Sequence, residues 1–99
     1  MARYTFAELL HQLEQNGAAY DEARRKMISN AVRFWDQIVE TARTHHDPVM
    51  RAKLIGIITN AQKIPVSQRR AAIEKLLETE SHEIPLRSLR FALRFLLDL

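Results

Sequence analysis

Along most of this chain, apolar positions recur at three- and four-residue intervals, the spacing of one helical face. Five segments carry the pattern. Phe6, Leu9, Leu10 and Leu13 make the first. Thr5 and Glu8 are placed as a capping box in front of it, with Tyr4 and Leu9 as the hydrophobic staple. Asn16-Gly17 reads as its stop, since glycine adopts the left-handed conformation at a helix end without strain. The second segment predicts a single long helix over residues 18–44, about 40 Å at 1.5 Å per residue. Tyr20, Ala23, Met27, Ala31, Phe34 and Ile38 form one stripe of it, and Ile28, Val32, Trp35 and Val39 a second beside it. This face is broad enough to meet two neighbours and marks the helix as the spine of the domain.

His45-His46-Asp47-Pro48 interrupts the pattern, with Asp47 an N-cap and Pro48 a first helical residue. The third helix runs to about Gln62, its inner positions being Met50, Leu54, Ile57, Ile58 and Ala61. Gly56 sits in its middle, where it costs about 1 kcal/mol relative to alanine. That cost predicts the close approach of another helix. Ile64-Pro65 is the next break, Ser67 the expected cap of a fourth helix, and Ile73, Leu76 and Leu77 its apolar side. Residues 79–83 read as a polar turn, and Pro85 as the opening of the fifth helix.

That fifth helix departs from the ordinary amphipathic plan. Arg87, Arg90 and Arg94 fall in one narrow stripe, with Asp98 at its edge. Most of the remaining circumference is apolar, more than one domain surface covers. Either this is the central helix of the bundle, or Phe91 and Phe95 look outward for a partner. With Leu86, Leu89, Leu93, Leu96 and Leu97 turned to the bundle, the two phenylalanines project well away from it.

Composition narrows the picture. The chain has 99 residues, enough for one domain, residues 1–99, and not for two cores. Two glycines and three prolines are too few for many short strands joined by turns. The expected fold is therefore all-α, a single compact bundle of four to five helices. With no cysteine, disulfides, thiolate metal sites and cysteine nucleophiles are excluded. Residues 1–5 lack the apolar stretch of a secretory leader, and no apolar run approaches a membrane span, so a cytoplasmic location is expected. The net charge of +3 is mildly basic and permits nucleic acid or an acidic protein as partner.

Candidate chemistry is sparse. His45-His46-Asp47 is the one cluster of metal-ligand types. Adjacent histidines on a helix point about 100° apart, so a helix end with solvated imidazoles is the expectation, and no metal or cofactor is expected. No serine sits on a strand-to-helix elbow, and no glycine-rich phosphate loop exists. Glu74, Glu78 and Glu80 read as a solvated face, and Tyr20, Phe34 and Trp35 as core. Residues 61–70 resemble the turn of a helix-turn-helix DNA-binding domain, matching it at Ala61, Ile64, Val66 and Ser67. The resemblance implies that Gln68, Arg69 and Arg70 stand at the N-terminus of a recognition helix, where base edges and phosphates are read. Pro65 replaces that family's glycine, and Glu74 falls where it has a core aliphatic residue.

These features predict a non-catalytic protein-binding module, a small adaptor, regulator or inhibitor. Its surface would be Arg87, Arg90, Phe91, Arg94 and Phe95. The partner would be a protein with an apolar groove and an acidic rim, or a second copy. The alternative is a DNA-binding regulator with a degenerate helix-turn-helix over residues 61–77.

Overall fold

The computed structural model describes residues 4–99, and the N-terminal stretch from Met1 to Arg3 lies outside them. Six α-helices follow one another: α1 Phe6–Leu13, α2 Ala18–Ser29, α3 Ala31–Thr44, α4 Pro48–Asn60, α5 Val66–Leu77 and α6 Glu83–Leu97. There is no strand among the described residues.

The local signals at the first and fourth helix starts act as read. Thr5 Oγ1 accepts from the Glu8 amide at 3.1 Å, and the Glu8 carboxylate accepts from the Thr5 amide. Asp47 Oδ1 accepts from the Val49 amide at 2.9 Å, directly ahead of Pro48.

Other boundaries differ, each for a definable reason. The expected long helix over residues 18–44 is two helices, broken at Asn30 (φ −112°, ψ 25°). Asn30 Nδ2 donates to the Lys26 carbonyl at 2.8 Å and to the Tyr4 hydroxyl at 3.1 Å. Asparagine competes in this way with regular helix, and a one-residue departure leaves the apolar period almost unchanged. The two halves take different partners, α2 packing chiefly on α1 and α3 on α4. Gly17 does adopt a positive φ, 72°, but as the residue leading into α2, because α1 has already ended at Leu13. Ser67 is not the cap of α5, which starts at Val66 behind Pro65 with no side-chain cap. Pro85 lies inside α6, and the cap is His82, whose Nδ1 accepts from the Ile84 amide at 3.2 Å.

The spine is α4. Met50, Leu54, Ile55, Ile57, Ile58 and Thr59 are buried on most sides of it, as a helix in a bundle centre requires. α6, α3, α5 and α2 pack around it. The buried core runs from Phe6 and Leu9 through Met27, Phe34 and Ile38 to Ile73, Leu89 and Leu96.

Long cationic side chains close the helix ends. Lys53 Nζ donates to the carbonyl of Leu13 in α1, and Lys63 Nζ to that of Ser29 in α2. Arg51 Nη1 donates to the carbonyl of His45, the residue capping α3. Arg69 Nη1 reaches the Thr59 carbonyl of α4, and Arg70 Nη2 the Leu96 carbonyl of α6. The last carbonyls of a helix have no intrahelical partner and carry its negative dipole end, so a cation satisfies both.

Arg51 has a second task. Its Nε and Nη2 hold the Glu80 carboxylate at 2.9 and 3.0 Å, tying α4 to the α5–α6 turn. Glu80 is thus a buried anchor of that turn rather than part of a solvated face. Burial alone would raise its carboxyl pKa. The Arg51 hydrogen bonds, the His82 and Ser81 amides and the Arg51 charge outweigh burial and hold it below the ordinary carboxylate value of 4.5.

Two outcomes follow. A Cβ added at Gly56 meets no atom within 4 Å, so the expected close helix approach is absent there. Gly56→Ala should then raise stability by up to about 1 kcal/mol, read as a higher midpoint in urea. A carboxyl depressed in the folded state stabilises the fold above its unfolded pKa and loses that contribution as pH falls through the folded value. Glu80→Gln should cost about 1–2 kcal/mol at neutral pH by replacing a half-buried charge-assisted pair with neutral hydrogen bonds to Arg51. It should also flatten the loss of stability as pH falls below the ordinary carboxylate value of 4.5, followed by urea midpoints across the acid range.

Candidate functional site

α6 presents three different faces. Pro85, Leu89, Ala92 and Leu96 are buried against α4 and α5, and Leu86 and Leu93 are half-buried beside them. Leu97, expected to face the bundle, is 65% exposed, and Ala92 takes the inward position in its place. With α4 as the central helix, α6 lies on the outside of the bundle and needs only one covered side.

A second face is apolar and open. Ile84, Phe91 and Phe95 follow one another at helical spacing and all are exposed. Phe91 is 63% exposed and Phe95 38%. Their rings stack nearly parallel, 6.1 Å between centroids with planes 16° apart. One turn apart on the helix, the two rings together form one exposed aromatic surface. A hollow of about 260 Å³ lies beside Phe91, walled by Gly56, Thr59 and Asn60 of α4 and by Arg87 and Ser88 of α6. Gly56 contributes by lacking a side chain. No sequence signal placed Gly56 next to Phe91, since the two meet only through the packing of α4 on α6.

The third face is cationic. Arg87, Arg90 and Arg94 line a shallow hollow of about 530 Å³ with the other side of Phe91. Glu83 Oε1 accepts from Arg87 Nε at 3.4 Å and from Arg90 Nη1 at 3.3 Å, so two guanidinium groups share one carboxylate. Arg94 forms no ion pair among the described residues. The structure therefore gathers Arg87, Arg90, Phe91, Arg94 and Phe95 on one continuous surface, positive along one side and aromatic along the other.

Gln68, Arg69 and Arg70 are not gathered. Arg69 is only 5% exposed, and besides its bond to Thr59 it donates from Nε to the Ile64 carbonyl at 2.9 Å. It holds the α4–α5 turn from within. Arg70 is half-buried under the C-terminus of α6. Only Gln68 faces solvent, on the side toward α3. A sequence turn motif says nothing of where long side chains go, and here both arginines turn inward to orphan carbonyls.

The remaining candidates have local tasks. His45 Nδ1 accepts from the Asp47 amide at 3.0 Å, and its ring stacks on His46. No group of three metal-ligating side chains comes together among the described residues. Phe34 is buried against Phe6, and Lys53 lies over the ring of half-buried Tyr20. No described helix is long and apolar enough to cross a membrane. No family model matches the chain, and neither does any curated protein or solved structure.

Proposed function

We propose that this protein is a non-catalytic binding module that docks another protein on the outer side of α6. The observation that carries the reading is the Phe91–Phe95 stack, exposed on a regular helix and flanked by three arginines. Paired aromatic side chains on a rigid helix lose little conformational freedom on binding and are the type of anchor that dominates interface energetics. The arginines set the chemistry of the partner. It offers an apolar groove for the two rings and carboxylates along one rim, which speed encounter and fix orientation more than they tighten the complex. The surface would serve an adaptor, regulator or inhibitor acting by occupancy. The nucleic-acid reading draws little support from the same residues, because two of its three side chains, Arg69 and Arg70, are engaged with carbonyls of the fold.

Covering the rest of both rings is worth about 3 kcal/mol, or about 150-fold in affinity. Phe91→Ser with Phe95→Ser should lower affinity by that factor and cost the fold only about 1 kcal/mol, as expected of positions outside the core. The measurement is photo-crosslinking in the native cell, with a benzophenone amino acid at position 91 and a control at the exposed position 12. A protein adduct specific to position 91 is expected, lost when Phe95→Ser is added. Equal labelling at the two positions, or a double variant that unfolds, would refute the reading.

A further inference from the structure

A groove of the kind that α6 requires exists on this same chain. It runs between α3 and α5, where two hollows of about 480 and 330 Å³ join through Trp35, Asp36 and Gln68. Its floor is apolar. Trp35 lies half-buried there, packed against Ala31, Ala61 and Ile64, with Val39 one turn further along α3. On the opposite wall α5 offers Ala71 and Ala72, side chains too small to fill the gap, flanked by Gln68 and Lys75. At one end Val32 is 66% exposed, continuing the apolar line of α3 into solvent. Along the α3 rim stand two carboxylates, Asp36 and Glu40, with Lys75 on the α5 wall and Arg33 and Lys63 at the Val32 end. Asp36 forms no ion pair among the described residues, while Glu40 pairs with Arg43 on its own helix.

We propose that the α3–α5 groove receives the Phe91–Phe95 face of α6 from a second copy, so that the protein self-associates head to tail. This rests on the reading of α6 as a docking surface and names its occupant.

Spacing, and the two carboxylates along the α3 rim, support the pairing. Phe91 and Phe95 are one turn apart, as are Trp35 and Val39 beneath the groove. Arg90 and Arg94 repeat that step on α6, and Asp36 and Glu40 repeat it on α3. The helical handedness then selects one orientation. Each acid follows its apolar neighbour by one residue, whereas each arginine precedes its phenylalanine by one. One residue is a rotation of about 100°, so the offsets run in opposite senses on the two helices. When the helices face each other in parallel, those opposite senses bring acids and arginines to the same side. Antiparallel facing separates them. The pairing is therefore parallel, with Phe91 over Trp35, Phe95 over Val39, Arg90 beside Asp36 and Arg94 beside Glu40.

The donor face and the groove share no residue, so both can be occupied on one molecule. Such a heterologous contact propagates into a ring or an open chain of copies. An exposed apolar surface on a monomer is accounted for by such a contact.

Complementation in sedimentation velocity tests this on the full purified chain. The wild type should grow in mass with concentration, less so at high salt, which screens the rim pairs. A donor variant, Phe91→Ser with Phe95→Ser, should be monomeric, as should a groove variant, Ala71→Arg. Ala71 is exposed on a helix, where arginine is well tolerated, and circular dichroism melts verify that each variant is folded. Mixing the two should restore a one-to-one complex, because one supplies the groove and the other the stripe. Should Ala71→Arg fail to fold, Asp36→Arg with Glu40→Arg takes its place. Those reversed acids should in turn bind a chain carrying Arg90→Glu and Arg94→Glu on an intact aromatic pair.

A groove variant that associates as the wild type does would overturn the proposal while leaving α6 a docking surface between like faces. A monomeric wild type whose position 91 crosslinks to a different protein would overturn it too, and would leave the proposed function standing. A donor variant that still associates would overturn this inference by removing α6 from the contact. Two monomeric variants that fail to complement would do the same.

Discussion

Cations reaching from one element to the last carbonyls of another hold this bundle in its arrangement. The helices are short, from eight to fifteen residues, so their ends are a large part of the structure. Each C-terminus leaves four carbonyls without an intrahelical donor. The usual solution is a glycine in the left-handed conformation just past the helix. The chain has only two glycines, and neither closes a helix that way, one leading into α2 and the other lying within α4. Lys53, Lys63, Arg51, Arg69 and Arg70 supply the missing donors instead, at α1, α2, α3, α4 and α6 in turn. Four of these cations sit on α4 or α5 and the fifth, Lys63, on the turn between them. The caps therefore lock the periphery to the centre.

This arrangement changes what the net positive charge means. Five of the fifteen lysines and arginines are occupied with carbonyls of the fold. Lys26, Arg43 and Arg51 face carboxylates, Arg51 holding both a carbonyl and Glu80. Arg33 lies over the ring of Phe34. The basic pair Arg69-Arg70, which in sequence resembles the start of a recognition helix, belongs to the first group. Against that background the arginines of α6 stand out, because Arg87 and Arg90 share one glutamate and Arg94 pairs with none among the described residues.

The position of α6 follows from α4. A helix buried on most sides must be surrounded, and α3, α5 and α6 do this. Peripheral helices then need only one covered face each, which leaves Phe91 and Phe95 in solvent on α6 and Trp35 and Val39 at a cleft on α3. The aromatic stripe and the groove thus have a common origin in the choice of the central helix, and small residues at Gly56 and Ala71 keep both open.

Local chemistry was legible in the residues alone. The all-α class, the Thr5–Glu8 box, the Asp47-Pro48 start and the segregation of arginines from apolar side chains on α6 all rest on contacts within a turn or two of the chain. Such contacts depend on sequence spacing, which the residues state outright. What needed tertiary structure was every decision between faces. At the Asn30 break the side chain also bonds Tyr4, 26 residues away, and Arg69 turns inward to the orphan carbonyl of Thr59. Burial of Glu80 depends on Arg51, 29 residues earlier, and exposure of Phe91 on the centrality of α4. Periodicity says that a helix has an apolar side, but which side is covered is settled only by the neighbour that covers it. Long cationic side chains are still less legible, since their reach spans several equivalent carbonyls and only the packed bundle selects one.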